Sequence, residues 1–161
     1  MNDLYILLGG NLGNRKENLE KAIKLINERV GGIEKCSSLF QTAAWGKTDQ
    51  PDFLNQAIKV NPKKSDVSVI LSDLLLIEQE LGRKRIEHWG ARVIDIDILL
   101  FGNEIVNTQR LTIPHPQLPN RRFALIPLNE IASDVIHPVF HKTIANLLLE
   151  CKDGLEVIQI K

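Results

Sequence analysis

The segment that decides the fold is Val93-Ile94-Asp95-Ile96-Asp97-Ile98-Leu99-Leu100-Phe101. It is the most β-like stretch of the chain, and its period of two places three isoleucines on one face of a strand and both aspartates on the other. Aspartate is uncommon in strands, and two carboxylates about 7 Å apart on one face repel each other unless a cation lies between them. An ordinary amphipathic strand with a wet acidic face explains a single acid better than it explains this pair. The pattern therefore predicts a metal site, and so few hard oxygen ligands favour Mg²⁺, which takes its other ligands from water and substrate phosphates.

A basic segment, Gly82 to Arg92, directly precedes this strand and supplies four fixed cations within ten residues. By itself it would be read as a solvated helix end, where cations favour the helix dipole. Beside a carboxylate pair it indicates phosphate binding, because arginine forks match phosphate oxygens and metal ions neutralise a transferring phosphoryl chain.

The order of the predicted elements is βαββαβ over the first hundred residues, which is the ferredoxin-like order. We expect an α+β protein with a ferredoxin-like core, additional C-terminal helices and strands, and α/β/α layers. The predicted core elements are a strand at 4–8 ending at Gly9-Gly10, a helix capped by Asn14 and Glu17 and ended by Gly31-Gly32, strands at 33–42 and 53–60 around a loop at 43–52, a helix capped by Ser65 or Asp66 and ended by Gly82, and the strand at 93–101. The predicted C-terminal elements are a hairpin around Gly102-Asn103, a proline-rich loop at 114–119, short helices near 123–131 and 142–150, and a strand near 155–160.

The composition of the chain limits the classes of function that it can have. The chain has 161 residues, is 43% hydrophobic and balances 20 Lys and Arg against 20 Asp and Glu, so we expect a single domain over 1–161 without the positive field that drives binding to nucleic acid or acidic membranes. Cys36 and Cys151 have no nearby cysteine, which favours a reducing cytoplasm over a disulfide or zinc framework. The first apolar run, 4–8, is too short for a signal-peptide core or a membrane span.

Several single residues are candidates for ligand contacts. Glu78 lies in or beside the apolar stripe of its helix, and its carboxylate either pairs with an arginine of the following loop or binds a ligand hydroxyl. Phe53 and Asn55 share a strand face and suit a planar heterocycle, although such a pair is more often packing. His115, between two prolines, could hydrogen-bond an anion together with Arg121.

Five stretches of the chain occur together in one known family. They are Leu8-Gly9-Gly10-Asn11-Leu12-Gly13, Asp49-Gln50-Pro51-Asp52-Phe53-Leu54-Asn55, Leu81-Gly82-Arg83-Lys84-Arg85, Trp89-Gly90-Ala91-Arg92-Val93-Ile94-Asp95-Ile96-Asp97-Ile98-Leu99, and Ile113-Pro114-His115-Pro116 through Arg121-Arg122-Phe123. On these stretches, nearly over its whole length, the chain resembles the 6-hydroxymethyl-7,8-dihydropterin pyrophosphokinase family of folate biosynthesis. The chain departs from the usual pattern at His88, Ala91 and Gly10, where the family commonly has arginine, proline and serine.

The resemblance implies an enzyme that moves the β,γ-diphosphate of ATP onto the hydroxymethyl group of a reduced pterin and releases AMP. It implies two Mg²⁺ ions held by Asp95 and Asp97, and catalytic roles for these two residues, Arg83 and Arg92. The nucleotide contacts that it implies are Glu78 at the ribose, together with Arg83, Arg85, Trp89, Arg92, Ile98, His115 and Arg121. The pterin contacts that it implies are Thr42, Ala43, Ala44, Trp45, Phe53, Asn55 and Phe123. The loops at 43–52 and 82–92 would close over the site, and the protein would act in the cytoplasm as a monomer.

Two rival functions come from other classes. A ferredoxin-like nucleic-acid module would stack bases on Phe53 and grip phosphates with the basic segment 83–92, but the zero net charge and the nearby aspartates weigh against it. A metal-dependent phosphodiesterase would cleave ATP without a pterin.

Overall fold

The structure of the chain, a computed structural model, describes residues 2–43, 51–82 and 93–160. Within these residues there are eight strands, four α-helices and one 3-10 helix. They are β1 (Leu4–Gly10), α1 (Arg15–Arg29), β2 (Gly31–Cys36), β3 (Leu39–Thr42), β4 (Phe53–Pro62), α2 (Val67–Glu80), β5 (Asp95–Phe101), β6 (Val106–Asn107), β7 (Thr112–Ile113), the 3-10 helix (Leu118–Asn120), α3 (Arg122–Ala132), α4 (Ile144–Glu150) and β8 (Val157–Ile160). The predicted mixed α+β class is confirmed.

An antiparallel sheet forms the centre of the molecule. Its strands follow the order β5-β1-β4-β3-β8, and β2 pairs with the same edge of β4 that β3 uses further along. Strand β1 therefore lies between β4 and β5, and the last strand closes the sheet beside β3. A separate two-stranded sheet joins β6 to β7.

Both faces of the large sheet are covered by helices. One apolar cluster joins Leu4, Ile6 and Leu8 of β1 to the inward stripes of α1 and α2. A second cluster joins Tyr5 and Leu7 of the same strand to α3 and α4. Alternate residues of β1 thus point into two different cores, which explains why every residue of this strand is buried.

Helix ends follow the predicted capping chemistry. The Asn14 side chain accepts a hydrogen bond from the backbone N–H of Glu17 at 3.1 Å, and Asp66 rather than Ser65 caps α2 by accepting from Ser68 N–H at 2.9 Å. The end of α2 at Leu81 is followed by Gly82 with φ +90°, a left-handed conformation that favours glycine.

The predicted strand 33–42 is wrong as one element, because it is divided into β2 and β3 at Ser37-Ser38. Ser37 replaces the interrupted ladder: its N–H donates to Ala57 O at 2.8 Å, and its Oγ accepts from Ala57 N–H at 2.9 Å. The Ser37 side chain thus satisfies a buried backbone donor at the break. A pattern of alternating hydrophobic residues does not predict such a side-chain contact.

Three smaller predictions at glycines are also corrected. Strand β1 includes Gly9-Gly10 instead of ending before them, and the hairpin is formed by β6 and β7 at 106–113 instead of around Gly102-Asn103. The sequence predicts that Gly31-Gly32 end α1 in a left-handed cap, and they do not form one, since Val30 closes α1 in the right-handed region and Gly31 already belongs to β2. Gly31 is needed for close approach, because a Cβ there would lie 2.0 Å from the backbone oxygen of Asn61 on β4.

No described helix combines the length with the apolar character that a membrane span requires.

The close approach at Gly31 predicts a sharp difference between neighbouring glycines. Gly31→Ala must push β2 away from the backbone of β4 and should lower the free energy of unfolding by about 3 kcal/mol. Gly32→Ala is the matched control, because a Cβ at Gly32 has no atom within 4 Å, and it should change stability by no more than about 0.5 kcal/mol. Urea denaturation of the two variants measures this difference, and equal midpoints would contradict the packing argument.

Candidate active site

The two predicted metal ligands, Asp95 and Asp97, lie on β5 and point toward the α3 side of the sheet. Their cross-strand partners on β1 are Gly9 and Leu7, and Leu7 belongs to the cluster under α3 and α4. The isoleucines at 94, 96 and 98 all pack in the opposite cluster, as the alternation predicts. Both aspartates are partly buried, so their carboxylates lie at a boundary between protein and solvent.

The outer edge of β5 is held by two other predicted site residues. The Glu78 carboxylate, on α2, accepts a hydrogen bond from the backbone N–H of Ile96 at 2.8 Å. Further along the same strand, the backbone N–H of His115 donates to the carbonyl of Leu99 at 3.0 Å. Strand β5 is at the end of the sheet order, so these contacts occupy backbone groups that an edge strand would otherwise present to water.

Gly9 lies between the two halves of the site. On β1 it is opposite Asn55 of β4 on one side and Asp95 of β5 on the other. A Cβ at Gly9 would lie 2.7 Å from the Asn55 side-chain oxygen, so only glycine allows this amide its observed position. The Asn55 amide nitrogen donates to the Thr42 hydroxyl at 3.0 Å, which fixes both buried polar groups. One row of the sheet, Asn55-Gly9-Asp95, therefore joins a predicted pterin residue to a predicted metal ligand. Thr42, which lies opposite Phe53 on β4, is bonded to this row through Asn55.

His115 is partly buried, and a local backbone hydrogen bond occupies one of its ring nitrogens. Its Nδ1 accepts a hydrogen bond from the backbone N–H of Gln117 at 3.1 Å, so the neutral ring carries its proton on Nε2. Burial, followed by the positive charge of Arg121, lowers the pKa of His115 to about 4. At neutral pH the side chain is an uncharged N–H donor.

Arg121 and Phe123 lie together at the start of α3. The Arg121 guanidinium carbon is 5.5 Å from the centre of the Phe123 ring, in a cation–π arrangement. Both side chains are only partly buried. The charge that lowers the pKa of His115 is thus held beside an accessible aromatic face.

The base of the predicted loop 43–52 is tied to the turn after β1 by contacts that the sequence did not predict. Asn11, 1% exposed, donates from its amide nitrogen to Pro51 O at 3.0 Å, and Arg15 donates to Asp52 O at 2.8 Å. Gln41 receives a second bond from Arg15 at 3.2 Å. These contacts fix the chain just before Phe53, and only the clustering of polar residues in 11–15 hinted at them.

The remaining predicted site residues divide into two groups. Ile98 is 4% exposed and packs in the core opposite the aspartates, and Ala43 is exposed at the end of β3. The other predicted contacts lie outside the described residues, and they are Ala44, Trp45, Arg83, Arg85, Trp89 and Arg92. The roles assigned to all of these residues stay predictions.

The donor set fits a magnesium ion better than a metal caged by protein alone. Across residues 2–43, 51–82 and 93–160, no group of three or more His, Cys, Asp or Glu side chains is placed to hold a metal ion. Two carboxylates on one face match Mg²⁺, which keeps several waters and binds through one or two carboxylates together with substrate phosphates. Asp95 and Asp97 are the residues that would hold it.

Comparison with known proteins identifies the family. The model of the 7,8-dihydro-6-hydroxymethylpterin-pyrophosphokinase (HPPK) family matches residues 5–133, which include every strand of the candidate site and the start of α3. The chain belongs to this family. The match ends before α4 and β8, so the site lies within the family's shared part.

Curated relatives carry the name of the pyrophosphokinase. The 2-amino-4-hydroxy-6-hydroxymethyldihydropteridine pyrophosphokinase of Haemophilus influenzae is 43% identical over 135 residues, covering 83% of this chain and 84% of the relative. The enzyme of the same name from Aquifex aeolicus is 41% identical over 146 residues, with 88% of each chain covered.

Solved structures of HPPK-DHPS chains share the fold. Wild-type Plasmodium falciparum HPPK-DHPS with pteroate matches with a TM-score of 0.75 at 17% identity, and the same protein with SDX-DHP matches with a TM-score of 0.74 at 18% identity. The match covers 92% and 93% of this chain but only 42% and 43% of those longer chains. At this identity the likeness concerns the fold alone.

The buried setting of His115 predicts its titration. In the protein without ligands, the His115 ring resonance should move with a midpoint near pH 4, because burial and Arg121 disfavour its charged form. Between about pH 6.5 and 4 the unfolded chain takes up a proton that the folded chain does not, so stability falls as the pH drops through this window. NMR titration, with His115→Gln used to assign the resonance, measures the midpoint, and a value near 6.5 would show that the ring is not buried in this way.

Proposed function

We propose that this protein transfers the β,γ-diphosphate of ATP as one unit to the hydroxymethyl group of 6-hydroxymethyl-7,8-dihydropterin and releases AMP, a step of tetrahydrofolate biosynthesis. The observation that carries the proposal is the pair Asp95 and Asp97 on one face of β5, in a chain of the pyrophosphokinase family. In the reaction the pterin hydroxyl oxygen bonds to the β-phosphorus. The bond from that phosphorus to the oxygen bridging the α-phosphate breaks, AMP leaves with this oxygen, and the hydroxyl proton is released to water.

The polyphosphate would lie against the α3 side of β5. His115 would donate a hydrogen bond from Nε2–H to a phosphate oxygen, since Nδ1 already accepts one from Gln117 N–H. Arg121 would add a fixed positive charge nearby, and we assign the same task to Arg83, Arg85 and Arg92. Trp89 and the backbone of Ile98, whose side chain is buried in the opposite cluster, would contact the rest of the nucleotide. His115 is already neutral before binding, so it can donate a hydrogen bond to phosphate without a change of protonation state.

The pterin would occupy the part of this face beyond Gly9. The residue pair Thr42 and Asn55 is fixed by a buried hydrogen bond of 3.0 Å, which leaves the amide oxygen of Asn55 oriented toward Gly9. Phe53 and Phe123 would sandwich the flat ring, with Ala43, Ala44 and Trp45 at its edge. Alignment of hydroxyl and phosphorus, rather than proton removal by a strong base, would supply most of the acceleration.

We assign two Mg²⁺ ions to Asp95 and Asp97. When bound, such ions neutralise the negative charge of the triphosphate and hold it in line with the attacking oxygen. The contribution of the chain is to keep two carboxylates on one side of β5 at a boundary with solvent.

The finer description of the fold and setting belongs to the same proposal. We describe strands β1 to β5 with helices α1 and α2 as a ferredoxin-like core. The strand order β5-β1-β4, with β2 and β3 both paired to the far edge of β4, supports this description. One domain over 1–161 is supported by the two apolar clusters that share the large sheet. We further propose that the enzyme acts in the cytoplasm as a monomer on small molecules, with no nucleic-acid partner.

The product of the reaction tests the proposed function. Incubated with Mg-ATP and the hydroxymethyl-dihydropterin, the protein should produce AMP and the pterin diphosphate, with little ADP. Without the pterin, AMP should not accumulate. Nucleotide chromatography distinguishes the outcomes: ADP as the main product would contradict diphosphate transfer, and pterin-independent cleavage of ATP would favour a phosphodiesterase.

The role of the carboxylate pair gives a second prediction. Asp97→Ala should leave the fold intact and lower turnover about a thousandfold, equivalent to about 4 kcal/mol of transition-state stabilisation. Asp134→Ala, at an exposed aspartate before α4, is the matched control and should retain wild-type turnover. Near-normal turnover of the Asp97 variant would contradict the metal assignment.

A further inference from the structure

We propose that Glu78 is a positioning residue, which holds the β5 backbone between the two aspartates so that both carboxylates can share divalent cations. This inference rests on the proposed function of Asp95 and Asp97. It assigns to Glu78 a task inside the protein that differs from the ribose contact implied by the family resemblance.

The contact is made at the residue between the two acids. Glu78 Oε2 accepts from the backbone N–H of Ile96 at 2.8 Å, and the Glu78 side chain is 4% exposed. Since Ile96 separates Asp95 from Asp97, a shift of this peptide group moves both acids together. Ile96 is itself 7% exposed, so loss of this acceptor would leave a buried backbone N–H without its hydrogen bond.

Helix α2 provides a rigid support for this carboxylate. Ile70, Leu74 and Glu78 follow one another at intervals of four residues and so lie on one face of α2. Ile70 and Leu74 are each 1% exposed in the core under the sheet. The helix is thus fixed against the same sheet whose edge strand Glu78 holds. The position of the acids is set by core packing transmitted through one hydrogen bond.

The strand needs such a support for two reasons. First, β5 is the edge of the sheet, so among the described residues no further strand pairs with the buried Ile96 N–H, which needs a side-chain acceptor instead. Second, the like charges of Asp95 and Asp97 favour any backbone movement that separates them. A partner at Ile96 opposes that movement before a cation is bound.

The test measures metal binding without ATP and without turnover. The probe is the Mn²⁺ complex of inorganic tripolyphosphate, which has no ribose, and its binding to the protein is followed by the enhancement of the water-proton relaxation rate. Glu78→Ala should weaken Mn²⁺ binding about tenfold or more, the usual effect of removing a group that orients metal ligands. Glu78→Gln keeps an oxygen acceptor of equal reach and should stay within about threefold of wild type.

Glu80→Ala is the matched control. Glu80 lies on the same helix but is exposed and pairs with Arg29 at the surface, so its removal should leave Mn²⁺ binding unchanged. Amide hydrogen exchange gives a readout of the support itself: the Ile96 amide should exchange about tenfold faster or more in Glu78→Ala, and near the wild-type rate in Glu78→Gln.

The outcomes separate the two proposals. If the wild-type protein fails to bind Mn²⁺ with tripolyphosphate, the metal assignment fails. If the wild type binds and Glu78→Ala binds equally well, the positioning role is wrong and a contact restricted to the ribose is favoured. Equal losses in Glu78→Ala and Glu78→Gln would also overturn it, because they would assign the effect to the charge of Glu78 instead of its hydrogen bond. Should Glu78→Ala not fold, Glu78→Asp takes its place, because its carboxylate is one methylene too short to keep the bond to Ile96 N–H. Weaker Mn²⁺ binding in Glu78→Asp with retained binding in Glu78→Gln supports the positioning role, and wild-type binding in Glu78→Asp overturns it.

Discussion

The site depends on the repulsion between two carboxylates that one strand holds on the same face. At a separation of about 7 Å and an effective dielectric constant near 20, two such charges repel each other by about 2 kcal/mol. The alternation of β5 prevents either aspartate from turning to the other side, because the isoleucines between and beside them are fixed in the core under α1 and α2. A divalent cation relieves this repulsion, and a polyphosphate completes the ligands of a magnesium ion.

The register of the sheet brings the other groups to the same place. Because β1 lies between β4 and β5, Gly9 faces both Asn55 and Asp95. The missing side chain at Gly9 leaves room for the Asn55 amide, so Asn55 and Asp95 lie on one surface on either side of Gly9. The His115 backbone is bound to Leu99 on the outer edge of the same strand. The imidazole of His115 has a pKa lowered to about 4, so at neutral pH the side chain is an uncharged N–H donor. In the proposed function, the acceptor, polyphosphate and metal sites would in this way be assembled on one strand and its two flanks.

Local patterns in the sequence predicted the elements and the acidic face, whereas side-chain contacts between distant segments could not be predicted. The capping residue Asn14, the end of α2 at Gly82 and the alternation of 94–98 follow from short-range chemistry, and the structure agrees with them. The division of 33–42 depends on the Ser37 hydroxyl meeting Ala57 across the sheet, which has no local signal. For Glu78, the sequence indicated only that an inward carboxylate needs a partner. Its partner is a backbone N–H on β5, a group that every residue except proline possesses and that no motif marks.

The most direct measurement is the anomalous scattering of manganese in crystals grown with Mn²⁺, the pterin and a non-hydrolysable ATP analogue. The account predicts manganese peaks within coordination distance of both Asp95 and Asp97, bridged by oxygens of the triphosphate. Carboxylates that face solvent with no ion beside them, in crystals where the nucleotide is bound, would contradict it.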